Sequence, residues 1–347
     1  NVRSDDMLHV LDGEAHLRRS RVEQANSDAI DYDNATGWIT DNVIEGSGGD
    51  GIDLMASTPV IAGNTIRGSG DKAVSVGEAS FPVLVGNAFL DGLRGVEVKD
   101  GSEPLLLGNA LAGNAVGLRI DRKNWRYGRG GWPLLVATPL AGNTLPLEMD
   151  SVSYLTVDTT ARPAVARALA AAAELRWNGG TGPAAWARVE PRPPLVDWTF
   201  AESFAPSGPW RFGGGGERLF RRDGALTLGF RSGRGVLDRA VDWEVPEGAA
   251  RLLLVEVGGR DLASLAVTVF RGTDSLVASV SLPTDPRMHG LAVLELPPGR
   301  YTGLRLTADP DPRIEVVQPT TGFLALRRAL LQVHRVRLMD LPTGAAR

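Results

Sequence analysis

The sequence predicts an all-β chain: a parallel β-solenoid with about 22 residues per coil, followed by a short helix and a β-sandwich. Two recurring registers and one change of pattern carry this. Met7, Ala29, Gly51, Ala73, Gly95 and Gly117 return at intervals of 22, and a column of Asn residues returns at nearly the same interval. Beyond residue 190 the repeat gives way to short alternating runs separated by turn residues.

The first register reads as a strand. Leu8, Ile30, Ile52, Val74, Val96 and Leu118 form one apolar row, and Val10, Tyr32, Leu54, Val76, Val98 and Ile120 form a second. Between them lie His9, Asp31, Asp53, Ser75, Glu97 and Arg119. Apolar and polar positions thus alternate with period two, the pattern of a strand that buries one face. The second register is Asn42, Asn64, Asn87, Asn109 and Asn143, with Ser20 in the preceding slot and spacings of 22, 23, 22 and 34. Stacked Asn side chains can bond along a column of equivalent turns and satisfy backbone groups left free there. The last interval exceeds the repeat by 12 residues. Its surplus holds "NWRYGRGGW" (124–132), read as a loop beside the strand face, after which "LPLEMDSV" returns Glu148 to the row of Arg119.

"SDAIDYD", "GDGIDLM", "GDKAVSVGEAS" and "GVEVKDGS" resemble the right-handed parallel β-helix (pectate-lyase-like) superfamily. More narrowly they are similar to β-helix repeats of secreted bacterial surface proteins. The resemblance covers about residues 1–160 and implies a right-handed coil. It implies less about activity, since the superfamily includes lyases, hydrolases, epimerases and non-catalytic adhesins.

Residues 161–177, "ARPAVARALAAAAELRW", read as a helix with Thr160 as cap, Pro163 in the first turn and "NGG" at 178–180 as terminator. Such a helix would cap an open solenoid end or link two modules. The domains expected are therefore 1–160 (β-helix), 161–190 (helix and linker) and 191–347 (β-sandwich). The strand containing Val333, Arg335 and Arg337 resembles the last strand of galactose-binding-like jelly rolls, which implies a jelly-roll topology and a carbohydrate-binding role for the sandwich. Trp198, Trp210 and Trp243 are read as its core rather than as ligand platforms.

Composition narrows the functions. Residues 1–160 carry 13 basic and 22 acidic side chains, whereas 161–347 carry 24 Arg, no Lys and 19 acids. An acidic first half and arginines scattered among acids argue against a nucleic-acid partner, which needs clustered cations. Cysteine is absent, which excludes disulfides and thiolate metal sites. No apolar run of about 18–20 residues is present to make a transmembrane segment. "NVRSDDMLHVL" already reads as strand, so the sequence is expected to begin inside a fold, after a leader or further N-terminal residues. No organic cofactor is implied.

Residues 22 apart become neighbours about 4.8 Å apart on adjacent coils, which stacks Asp31 on Asp53 with Asp28 and Asp50 flanking. Carboxylates so crowded raise each other's pKa unless a cation or donors compensate. Calcium, which takes six to eight oxygens, is a natural neutraliser, with Asp31, Asp53, Asp28 and Asp50 as its candidate ligands. Lys72, Arg94 and His9 are the candidate proton-transfer groups. Uronate-cleaving members of the superfamily combine a metal with a base, so the resemblance implies calcium-assisted β-elimination. Hydrolysis through Asp31 and Asp53, or epimerisation, ranks below it. Trp125, Arg126, Tyr127, Arg129 and Trp132 are the candidate subsite wall, with Glu97 and Lys99 as further substrate contacts. The plainer reading competes throughout: Asp28 and Asp50 as turn caps, and Lys72 and Lys99 as members of surface ion pairs. The expected partner is a polysaccharide or cell-surface glycan, met in a secreted, periplasmic or surface location. The rival is a surface, adhesion or assembly protein whose solenoid is a rigid scaffold.

Overall fold

The computed structural model describes residues 5–158, 163–200, 209–222, 224–282, 284–312 and 329–341. The chain divides into two units, Asn1–Arg192 and Pro193–Arg347.

The first unit is a parallel β-solenoid of seven coils. One of its sheets consists of seven parallel strands: β1 (Asp6–Leu11), β2 (Asp28–Asp33), β3 (Ile52–Met55), β4 (Lys72–Gly77), β5 (Arg94–Lys99), β6 (Val116–Asp121) and β7 (Leu145–Met149). A second wall holds Glu14–Arg18, Thr36–Thr40, Val60–Ala62 and their successors, and a third runs from Arg21–Glu23 to Ala110–Ala112. Coil stacks directly on coil, so Ile30 pairs with Ile52, Ile52 with Val74, Val74 with Val96 and Val96 with Leu118. All five are fully buried, as are Tyr32, Leu54, Val76, Val98 and Ile120 in the adjacent row. Each such side chain contributes about 1.5–3 kcal/mol relative to exposure, so the interior is a continuous apolar rod built one rung per coil.

The corners close the remaining backbone valences. Asn42 donates from N and Nδ2 to Oδ1 of Asn64 at 2.9 and 3.0 Å, Asn64 does the same to Asn87, and Asn87 to Asn109. The column then passes to Thr138, whose Oγ1 accepts from Asn109 N at 3.3 Å, and not to Asn143. Asn143 instead accepts from Asn114 N and Nδ2 in a second ladder at another corner. Val116 pairs with Leu145, so the irregular coil is 29 residues long and holds seven extra residues rather than twelve. A serine ladder runs along a third corner, where Ala35 N bonds Ser57 Oγ, Ser57 N bonds Ser80 Oγ, and Ser80 N bonds Ser102 Oγ.

The expected long helix is shorter. α1 covers Pro163–Ala172, and Leu175–Trp177 is a strand that pairs antiparallel with Trp186–Arg188. Thr160 lies outside the described residues. This hairpin packs along the Asn corner of the solenoid. Trp186 Nε1 donates to Asp41 Oδ1 at 3.2 Å, and its ring stacks on Trp38. The Trp177 ring lies where a Cβ on Gly108 would stand, 1.8 Å from Cζ2, at a residue whose φ is +63°. Only glycine meets both conditions.

The second unit is a β-sandwich-like antiparallel assembly. It contains β8 (Ala225–Val245), β9 (Arg251–Arg260), β10 (Leu262–Arg271), β11 (Asp274–Ser279), β12 (Met288–Leu296), β13 (Gly299–Pro310) and β14 (Ala329–Asp340). Their spatial order is β12-β9-β14-β8-β13-β10-β11. The 21-residue β8 pairs with β14 through its first half and β13 through its second, which carries the sheet around the core. Trp210 and Trp243 are buried, Trp198 packs against the same core, and Arg239 lies 3.4 Å above its ring. Among the described residues, no helix is long and apolar enough to cross a membrane.

Candidate functional site on the outward face of the seven-stranded sheet

Strand pairing assembles the polar row in full: His9 opposite Asp31, Asp31 opposite Asp53, then Ser75, Glu97, Arg119 and Glu148. From Asp31 to Arg119 these side chains alternate with fully buried neighbours, so the row lies outside the coil. Two of its members are nonetheless covered. Lys99 folds across Gly77 and donates from Nζ to Ser75 Oγ at 3.0 Å. Glu97, with no exposed surface, sits beneath Lys123 at 2.7 Å, Arg94 at 3.6 Å and Arg119 at 3.8 Å. Buried carboxylates are tolerated only when paired in this way. Glu97 therefore acts as an anchor under the row, and neither Glu97 nor Lys99, which is 8% exposed, presents a free contact surface.

The four aspartates do not converge on one point. Single oxygens of Asp28, Asp50 and Asp53 lie within 4.8 Å of one another, while Asp31 groups with Asp6 and His9. In the first group Asp28 Oδ1 accepts from Asp50 N at 2.5 Å, and Asp50 Oδ1 accepts from Lys72 N at 3.1 Å. These bonds are the turn-capping role that competed with metal binding in the sequence. Lys72 Nζ also reaches both Asp50 oxygens, at 3.1 and 3.2 Å, and pairs with Asp71, which also binds Arg94. Burial alone would lower the Lys72 pKa, but Asp50 and Asp71 outweigh it and raise the value. That is the wrong direction for a general base. Arg94 is likewise engaged, with Asp71 and Glu97.

At the first coils His9 Nε2 stands 3.2 Å from Asp33 Oδ2 and 3.6 Å from Asp31 Oδ2. Burial, followed by repulsion from Asp33 and Asp53, pushes the Asp31 carboxyl up to about 7. His9 thus partners carboxylates on the first strand of the sheet, five strands from Arg119.

The insertion following β6 is fixed to the row. Lys123 pairs with Glu97, and Asn124 N donates to Asp100 Oδ1 at 2.7 Å. Asn124 Oδ1 accepts from Arg126 N and caps the short 3-10 turn Trp125–Tyr127. Trp125 is 76% exposed and Tyr127 37%. Trp132 departs from the expected wall. It is 3% exposed, packs on Tyr154 and donates from Nε1 to Thr156 Oγ1 at 2.9 Å, so it belongs to the solenoid core. Arg129 pairs with Glu103 and lies 5.7 Å from the Trp132 ring, while Arg126 remains with the exposed turn. The sequence reading did not single out Asp71, Asp100 or Lys123 as members of this site. Asp71 adjoins Lys72 and Asp100 adjoins Lys99, both of which it did single out, and Lys123 directly precedes the loop 124–132, which is the one signal they offered.

The family model described as a right-handed β-helix region matches residues 7–126. No curated protein matches the sequence. Among solved structures, the enzymatically active domain of tailspike protein 4 from bacteriophage CBA120 is similar over 93% of this chain and 51% of that one, with 11% identity and a TM-score of 0.30. This chain thus spans about half the length of that domain. The module TmCBM61, solved with β-1,4-galactotriose, is similar over 38% of this chain and 89% of its own, with 12% identity and a TM-score of 0.26. A family 29 carbohydrate-binding module gives 42%, 90%, 11% and 0.25. At these scores no residue role is carried over.

Proposed function

We propose that the outward face of the seven-stranded sheet recognises a polysaccharide, an anionic or neutral cell-surface glycan met outside the cytoplasm. The observation that carries this is the unbroken register from His9 to Glu148. Six strand spacings give a polar row about 29 Å long, in which Lys99 and Lys123 lie over the buried Ser75 and Glu97 while His9, Asp31, Asp53, Arg119 and Glu148 keep exposed surface. A linear polymer of hydroxyl groups is the ligand class whose shape and chemistry match such a track. The exposed Trp125 ring, held beside the row by the Lys123–Glu97 pair, supplies an apolar surface for a sugar face.

Calcium-assisted cleavage of an acidic glycan is the sharper form of this reading. Asp28, Asp50 and Asp53 would hold the cation, and their hard oxygens and shared negative charge fit it. Bound there, calcium would supply positive charge beside an acidic sugar. The fit has a competitor, because the Lys72 ammonium already neutralises Asp50. Cation binding would require Lys72 to withdraw towards Asp71. Recognition without cleavage makes no such demand, and it is the reading preferred here.

The test is a panel of acidic and neutral polysaccharides offered to the full chain, with and without calcium, read by binding and by ultraviolet absorbance of unsaturated product. Saturable binding weakened by Trp125→Ala supports recognition, and unsaturated product in addition establishes elimination. If nothing binds and calcium leaves melting unchanged, the solenoid is a rigid scaffold for adhesion or assembly.

A further inference from the structure

The second unit carries a concavity that owes nothing to the solenoid face. A cavity of about 650 Å³ opens over β8, β10, β11 and β13, within the size range of ligand sites. Along β10, Leu265, Val267 and Val269 point into the core, as do Leu304, Leu306 and Ala308 along β13. The intervening Ser264, Ala266 and Thr268 of β10 and Thr307 of β13 line the cavity, and they are short. Ala266 pairs with Thr307 on one side and Ser279 on the other, and Ser264 pairs with Asp309.

Two Arg–Asp forks lie along this face, the first in the lining of the cavity and the second beyond it. Arg234 donates from Nε and Nη2 to the two Asp309 oxygens at 2.9 and 3.1 Å, and Ser264 Oγ donates to Asp309 Oδ2 at 2.7 Å. Four residues back along β13, about 13 Å away, Arg305 makes the same fork with Asp238 at 2.6 and 3.1 Å. Each fork uses two of five guanidinium N–H groups, and so leaves donors beside a carboxylate that keeps acceptor capacity. Each fork is also electrically neutral as a pair. An anion entering the trough meets Asp309, and a cation meets Arg234, so neither gains net attraction. A hydroxyl, which donates and accepts at once, satisfies both partners.

We propose that this trough is a separate ligand site for a neutral polysaccharide, bound through its hydroxyls at the Arg234–Asp309 fork, with the Arg305–Asp238 fork next along the strand. The site stands whether or not the solenoid face binds a glycan. The test is native affinity electrophoresis of the full chain in gels containing soluble galactan, mannan or β-glucan. Wild-type protein is retarded by at least one of them. Ala266→Trp, which fills the middle of the trough, and Arg234→Ala, which removes the donors of one fork, weaken that retardation about tenfold or more, the equivalent of one or two hydrogen bonds. Asp53→Ala, on the solenoid, leaves the trough-dependent retardation in place. Should Ala266→Trp lower the melting temperature, the exposed Arg234→Ala decides alone. The proposal is overturned if no polysaccharide retards the chain, or if both trough variants bind as wild type. Loss of binding in Asp53→Ala alone also overturns it, while leaving the solenoid reading intact.

Discussion

Replacing Asp31 with Asn isolates the electrostatics of the outward row. Burial, with Asp33 and Asp53 nearby, moves the Asp31 carboxyl from 3.8 to about 7. Across that interval the folded chain holds a proton that the unfolded chain has released. Wild-type stability therefore falls as pH rises from about 4 to about 7, and the loss persists above. At 1.36 kcal/mol per pKa unit the ceiling is about 4 kcal/mol. The Asp31 side chain keeps 16% of its surface exposed, and solvent screening reduces the realistic figure to about 1–2 kcal/mol. Asn has nearly the same shape and does not titrate. Urea unfolding of both proteins should give equal stability near pH 4 and an advantage of about 1–2 kcal/mol for Asp31→Asn near pH 8. A pH-independent difference, or a variant weaker than wild type near pH 8, would refute the crowding of carboxylates on this face.

Other substitutions probe the pieces separately. Asn87→Ala strands Asn64 N and the Ile61 carbonyl in the interior, and should lower unfolding free energy by about 2–4 kcal/mol in denaturant melts. Gly108→Ala meets both a left-handed backbone and the Trp177 ring, so a loss above about 2 kcal/mol is expected, whereas Gly128→Ala, with open space around its Cβ, should cost less. Lys123→Met and Glu97→Gln should couple by about 1 kcal/mol in a double-mutant cycle, and additivity would show that the insertion is not tethered through this pair. Trp125→Ala should leave the melting temperature unchanged, given its exposure, while reducing glycan affinity in the binding assay.

The repeat was legible because each coil obeys the same geometry. Period two along a strand and 22 between coils fix which side chains meet, and the pairing His9–Asp31–Asp53–Ser75–Glu97–Arg119 follows with no further information, while Glu148 joins it through the returning strand pattern of "LPLEMDSV". What failed depended on chain length at corners and on side-chain reach. Asn143 shares its residue type with the main column, but the seven extra residues carry it to the Asn114 corner, and Thr138 fills the vacated place. Leu175 and Trp177 extend an Ala-rich pattern, yet tertiary packing on Gly108 and pairing with Trp186–Arg188 outweigh helix propensity. The Ser57–Ser80–Ser102 ladder was visible as spacing but reads as ordinary turn composition. Trp132 sits in the same aromatic stretch as Trp125, and nothing in its neighbours shows that one ring faces inward and the other water. The Lys72–Asp50 pair was among the ion pairs the spacing offered, but the burial of Lys72 and its second contact with Asp71 hinge on a rotamer, which spacing does not encode.

A crystal structure of the full chain soaked with an oligosaccharide drawn from whichever polysaccharide binds it tests the central reading most directly. The account predicts sugar rings laid across β3 to β6, with hydroxyls in hydrogen-bond reach of Asp53 and Arg119 and one ring against Trp125. Density for the sugar elsewhere, with the row from His9 to Glu148 left bare, would contradict it.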